Sequence, residues 1–86
     1  MVSTRVPMGM DHFDTVRELI ALTFGVAPET VTRDTAREQC PGWDSLGHLN
    51  LMLTLEDTFQ LTLSVDEIGH LSSVAAILDH LQAVGA

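Results

Sequence analysis

Trp43-Asp44-Ser45-Leu46-Gly47-His48-Leu49-Asn50-Leu51-Met52-Leu53-Thr54-Leu55-Glu56-Asp57-Thr58-Phe59 is the stretch that decides the fold. Its apolar residues recur at three- and four-residue intervals, which predicts a helix from about Ser45 to Phe59 or Gln60, with Asp44 as its N-cap. On a helical wheel His48, Leu51, Met52, Leu55 and Phe59 share one face, enough to fill that side of a core. Leu46, Leu49 and Leu53 form a second stripe on a roughly opposite side, bordered by Asn50, Glu56 and Asp57. A helix in so small a chain cannot easily bury both faces, and leaving three large side chains in water forgoes about 1.5–3 kcal/mol each. Either a neighbouring loop covers the stripe, or it docks onto partners in helix-in-groove fashion with the acidic fringe steering association. Docking is the favoured reading, because the stripe begins at the residue directly after Ser45.

Outward from this helix the other elements can be placed. Asp11 is positioned to cap a first helix in which Phe13, Val16, Leu19, Ile20 and Phe24 form an amphipathic face, stopped by Gly25. From Val26 to Trp43 periodicity is lost and Pro28, Pro41 and Gly42 intervene. A compact domain keeps so long a loop only when it is packed down or functional, and Val26, Val31 and Trp43 are its expected anchors. Ser64-Val65-Asp66-Glu67 spells a capping box for a short third helix, which Gly69 is expected to curtail. Ser72 or Ser73 caps the last helix, whose Val74, Ile77, Leu78 and Leu81 form one stripe. Leu61-Thr62-Leu63 is a brief extended candidate, too short for a convincing strand. The expected fold is all-α: a small four-helix bundle of three longer helices plus one short third helix, with a long first loop. Residues 1–10 read as a flexible leader and 11–84 as the domain.

Composition narrows the function. At 86 residues the chain is one small domain, and 45% hydrophobic content argues against disorder. Twelve carboxylates against four arginines leave a net charge of −8, which would repel a phosphate backbone and argues against a nucleic-acid reader. A single cysteine, Cys40, excludes an internal disulfide and fits a reducing compartment. No apolar run reaches membrane-spanning length, so the expected location is the cytoplasm.

The chemistry-bearing residues are few. Ser45 places a hydroxyl at a helix N-terminus, where unpaired N–H groups and the helix dipole favour an anion, a natural setting for a phosphate ester. Asp44, Ser45 and His48 do not make a hydrolytic triad, because an i, i+3 pair on one helix rarely sets a base against a nucleophile. No histidine has ligand-like spacing, Cys40 reads as an inert loop thiol, and neither a catalytic nor a metal site is expected.

These residues resemble the acyl carrier proteins and related thiolation domains. The likeness lies in Gly42-Trp43-Asp44-Ser45-Leu46-Gly47-His48-Leu49-Asn50-Leu51, then Leu55-Glu56-Asp57 and Phe59. Gly25-Val26, Val31 and Leu71-Ser72-Ser73-Val74 extend it without gaps from roughly Phe13 to Leu81. The resemblance implies 4′-phosphopantetheine attached to Ser45, with Asp44 beside it. A separate magnesium-dependent phosphopantetheinyl transferase would install it from coenzyme A. The arm would carry acyl groups as thioesters to acyl-loading and acyl-transferring enzymes, met through Leu46, Leu49, Asn50, Leu53, Glu56 and Asp57. The carrier would be monomeric and not itself a catalyst. Gly47 and Asn50 stand where fatty-acid-type carriers usually place acids, and Arg37 and Pro41 where their first loop often has large apolar residues. These departures lean towards a polyketide, mixed peptide–polyketide or related specialised pathway. Two alternatives are a peptidyl or aminoacyl carrier of a nonribosomal pathway, and an unmodified helical interaction domain.

Overall fold

A computed structural model describes residues 12–86, and its regular structure is helical. Four helices run in the order α1 (Phe13–Phe24), α2 (Ser45–Phe59), α3 (Val65–His70) and α4 (Val74–Ala83), with single 3₁₀ turns at Pro28–Thr30 and Arg37–Gln39 inside the first loop. α1 packs against α2 and α4. Among the described residues no strand forms: Leu61-Thr62-Leu63 is an irregular connection, held where the Glu56 carboxylate accepts the Leu63 N–H at 2.8 Å. The expected cap Asp11 and the 1–10 leader lie outside the described residues. α1 is preceded by His12, which makes no side-chain capping bond.

The core is the set of faces the periodicity marks. Val16 and Ile20 from α1, His48, Leu51, Met52 and Leu55 from α2, and Val74, Ile77 and Leu81 from α4 are buried, with Leu63 and Leu71 from the connections. Phe13, Leu19, Phe24, Phe59 and Leu78 are half-buried against this cluster. Helix ends obey local chemistry. Gly25 closes α1 at φ 67°, its N–H and that of Val26 both returning to the Ala21 carbonyl. Gln60 does the same for α2 at φ 55°, a left-handed position without glycine, helped by its side chain donating to the Asp57 carbonyl at 2.7 Å. Ser64 and Glu67 form the capping box of α3, and Ser73 caps α4. α3 is short as expected, ending at His70 one residue after Gly69, and the Leu71 side chain that follows turns into the core.

The first loop is packed down rather than free. Val31, Cys40 and Trp43 are buried, and Val26 is half-buried against them. Its middle is fastened to the start of α4 by an antiparallel bridge, Ala36 to Ser73, flanked by Arg37 N–H to the Ser72 carbonyl and Val74 N–H to the Thr35 carbonyl, both 2.9 Å. Arg33 lies over the Phe13 ring at 4.7 Å, tying the loop to α1 as well. The loop is therefore a structural layer that fixes the N-terminus of α2.

Two outcomes test this packing. Leu51→Asp or Leu55→Asp should abolish the cooperative fold, since each would bury an unpaired charge, whereas Leu49→Asp or Leu53→Asp should keep the wild-type far-UV circular dichroism. The second concerns pH. The Ser64 backbone N–H, then its hydroxyl, hold the Glu67 carboxyl below its usual range, with a smaller contribution from His80. A lowered carboxyl stabilises the fold above its unfolded-state range, and that gain is lost as pH falls through the lowered value. The Tm gap between wild type and Glu67→Ala should therefore be widest near about pH 7 and narrow by about pH 3.

Candidate functional site

The N-terminus of α2 is built from the loop outward. Asp44 adopts an extended conformation and its Oδ1 accepts the Gly47 N–H at 2.8 Å, while its carbonyl accepts the His48 N–H at 2.7 Å. The N–H groups of Ser45 and Leu46 then have no acceptor among the described residues. Ser45 itself is exposed. Its hydroxyl thus stands exposed at the positive end of a fifteen-residue helix.

Two contacts invisible to helical periodicity fix this turn. Phe24, Trp43 and His48 stack in sequence, with ring centroids 5.5 Å and 6.2 Å apart and planes 20° from parallel in both pairs. The Trp43 indole N–H donates to His48 Nδ1 at 2.9 Å. That assigns the tautomer: Nδ1 is the acceptor, so Nε2 carries the proton and donates to the Ile68 carbonyl at 2.6 Å. One buried imidazole therefore joins the loop, α2 and α3. Both of its nitrogens are engaged away from Ser45, so it cannot serve as that serine's base.

Gly47 is the second contact. A Cβ there would fall inside the closest approach real side chains tolerate to the Gly42 carbonyl, and within 2.7 Å of the Phe24 ring. Gly42 sits at φ 91°, a left-handed-side conformation that favours glycine. The two glycines let the loop cross directly over the first turn of α2.

Arg37 joins the site unannounced. Its Nε donates to the Trp43 carbonyl at 3.1 Å and a terminal nitrogen lies 3.4 Å from Ser45 Oγ. Eight residues separate it from Ser45 across an aperiodic loop, so only the folded turn brings them together; the sequence marked Arg37 merely as a departure from a familiar pattern. Cys40 is buried and its thiol is pushed up by burial, consistent with an inert group.

The second stripe of α2 is uncovered. Leu46, Leu49 and Leu53 are 70%, 50% and 63% exposed, so no loop of the described residues shields them. Asn50 and Asp57 are exposed beside them. Glu56 is half-buried, and one of its carboxylate oxygens accepts the Leu63 N–H, so it also shapes the α2–α3 connection. Leu22 and Val65 are also exposed, and the periodicity of the short third helix did not single out Val65.

Residues 14–81 match the family described as "Phosphopantetheine attachment site". The chain belongs to the acyl carrier protein family. It is 29% identical over 76 residues to the acyl carrier protein of Campylobacter curvus, covering 88% of this chain and 99% of that one. It is 32% identical over 69 residues to that of Chlamydia trachomatis serovar L2, covering 80% and 90%. The Aster yellows witches'-broom phytoplasma acyl carrier protein is 30% identical over 69 residues, covering 80% and 91%. The prosthetic group of this carrier is covalent 4′-phosphopantetheine, and the residues at the head of α2 fit it. An exposed hydroxyl, two N–H groups without an acceptor and a guanidinium converge where a phosphodiester would sit. As in the family generally, its partners are a phosphopantetheinyl transferase and biosynthetic enzymes.

Trp43→Phe tests the buried link. It keeps an aromatic ring but leaves His48 Nδ1 without its donor, so stability should fall by about 1–3 kcal/mol, read as a lower urea midpoint at unchanged slope.

Proposed function

We propose that Ser45 is the residue that carries 4′-phosphopantetheine, and that the chain presents acyl groups as thioesters without catalysing their chemistry. The observation that supports this most is the exposed Ser45 hydroxyl at the N-terminus of α2, with an uncovered leucine stripe starting at the next residue. The arm supplies a terminal thiol whose thioester is an activated acyl donor. The protein supplies the tether, which raises the acyl group's effective concentration at a docked enzyme. Asp44 orders the turn that presents the serine.

Docking is proposed to run through Leu46, Leu49 and Leu53, with Asn50, Glu56 and Asp57 on the rim. Only part of the fringe is acidic: Gly47 is dictated by the loop crossing and Asn50 is neutral, which leaves the Glu56 and Asp57 carboxylates. Apolar contact then outweighs steering, which favours partners with an apolar groove. This supports service in a polyketide, mixed peptide–polyketide or related specialised pathway. The lone cysteine supports a cytoplasmic setting. Residues 11–84 are proposed as the carrier domain and 1–10 as a leader.

Intact mass decides the central point. Incubation with coenzyme A, magnesium and a broad-specificity phosphopantetheinyl transferase should add one phosphopantetheinyl group to the wild type and none to Ser45→Ala. An unchanged wild-type mass would leave an unmodified interaction domain as the reading. Leu49→Asp and Leu53→Asp should slow the modification roughly tenfold, as loss of a central apolar contact predicts. Modification at the wild-type rate would place docking elsewhere.

A further inference from the structure

We propose that Arg37 is a positioning residue for the prosthetic group, clamping its phosphodiester against the first turn of α2. The proposal rests on Ser45 as the attachment point. Arg37 opens the 3₁₀ turn Arg37–Gln39, and its backbone N–H is fixed to the Ser72 carbonyl at 2.9 Å. Its side chain is half-buried, and the bond from Nε to the Trp43 carbonyl sets the plane of the guanidinium. That leaves a terminal nitrogen directed at Ser45 Oγ, at 3.4 Å. This distance is long for a bond to a neutral hydroxyl, whereas a phosphoryl oxygen attached to Oγ would extend towards the guanidinium.

Charge points the same way. The chain carries twelve carboxylates and four arginines, so a cation has no shortage of potential partners. Arg17 takes one, pairing with Asp14 at 3.3 Å. Arg37 pairs with no carboxylate among the described residues: its two side-chain contacts are a carbonyl and the Ser45 hydroxyl. The neighbouring Asp44 carboxylate is committed by Oδ1 to the Gly47 N–H. A guanidinium has five donors in a planar fork suited to phosphate, and most of these are unused here. Esterification of Ser45 adds a negative charge to a chain already at −8, and Arg37 is the cation placed to receive it.

The test uses the full chain before and after modification, with intact mass confirming complete conversion. Apo and holo forms of wild type, Arg37→Gln and Arg37→Lys are melted at low salt and at about 1 M NaCl, where screening acts over roughly 3 Å. At low salt the holo-minus-apo Tm difference should be about 2–4 °C larger in wild type than in Arg37→Gln, and this excess should shrink at high salt. Arg37→Lys should retain part of it. A merely structural role through Trp43 would lower both forms equally and leave the difference unchanged, overturning the proposal. In ¹⁵N-labelled wild type, the Arg37 Nε–Hε resonance should shift on modification; an unmoved resonance also overturns it and decides the matter should Arg37→Gln fail to fold. Absence of any mass gain would instead sink the Ser45 assignment, and the clamp with it.

Discussion

The hydrogen bond from the Trp43 indole to His48 Nδ1 is the constraint on which the rest of this small structure depends. A domain of this size has little core to spare, and its longest loop runs directly into its longest helix. Without a polar link, stacking alone would let that junction slide. With it, the ring tautomer is set, the opposite nitrogen is free to donate to Ile68, and α3 is drawn onto the same post. The link is buried and fully satisfied, the condition under which a polar contact lends specificity to a core without an energetic penalty. The orientation of the first turn of α2, and of the serine it displays, derives from it.

Much of the fold was legible from residue pattern because helix faces and caps are local properties. The stripe Val16–Ile20, the pair Ser64 and Glu67, and Gly25 after Phe24 each act within a few residues. The two-faced character of α2 could also be read, since Leu46, Leu49 and Leu53 fall opposite Leu51 and Leu55 whatever the tertiary structure. The features that stayed hidden depend on contacts distant in sequence. Arg37 reaches Ser45 from a loop held by the Ala36–Ser73 pairing, and Glu56 meets the Leu63 N–H because the chain after Gln60 turns back over it.

The uncovered face of α2 and the ordered loop before it divide the work of a carrier. The loop is rigidly tied, to α1 through Phe13 and Phe24, to α4 through Ser72 and Val74, and so presents one geometry. The leucine stripe has no such commitments and is exposed, as the proposed docking role requires. An acyl carrier must meet several enzymes with one surface, which favours shallow apolar contact over a deep, exclusive fit.

Gly47 carries a consequence for how such a surface can change. Position 47 flanks the start of the leucine stripe, where an acid would strengthen attraction to a basic partner. Yet the Gly42 carbonyl and the Phe24 ring already occupy the space that any side chain there would require. Altering the charge of this face at that position means rerouting the polypeptide above it, so under the proposed docking role partner preference is tied to the path of the backbone. New acidity would have to be gained at Asn50 or further along α2, where the helix is open to solvent.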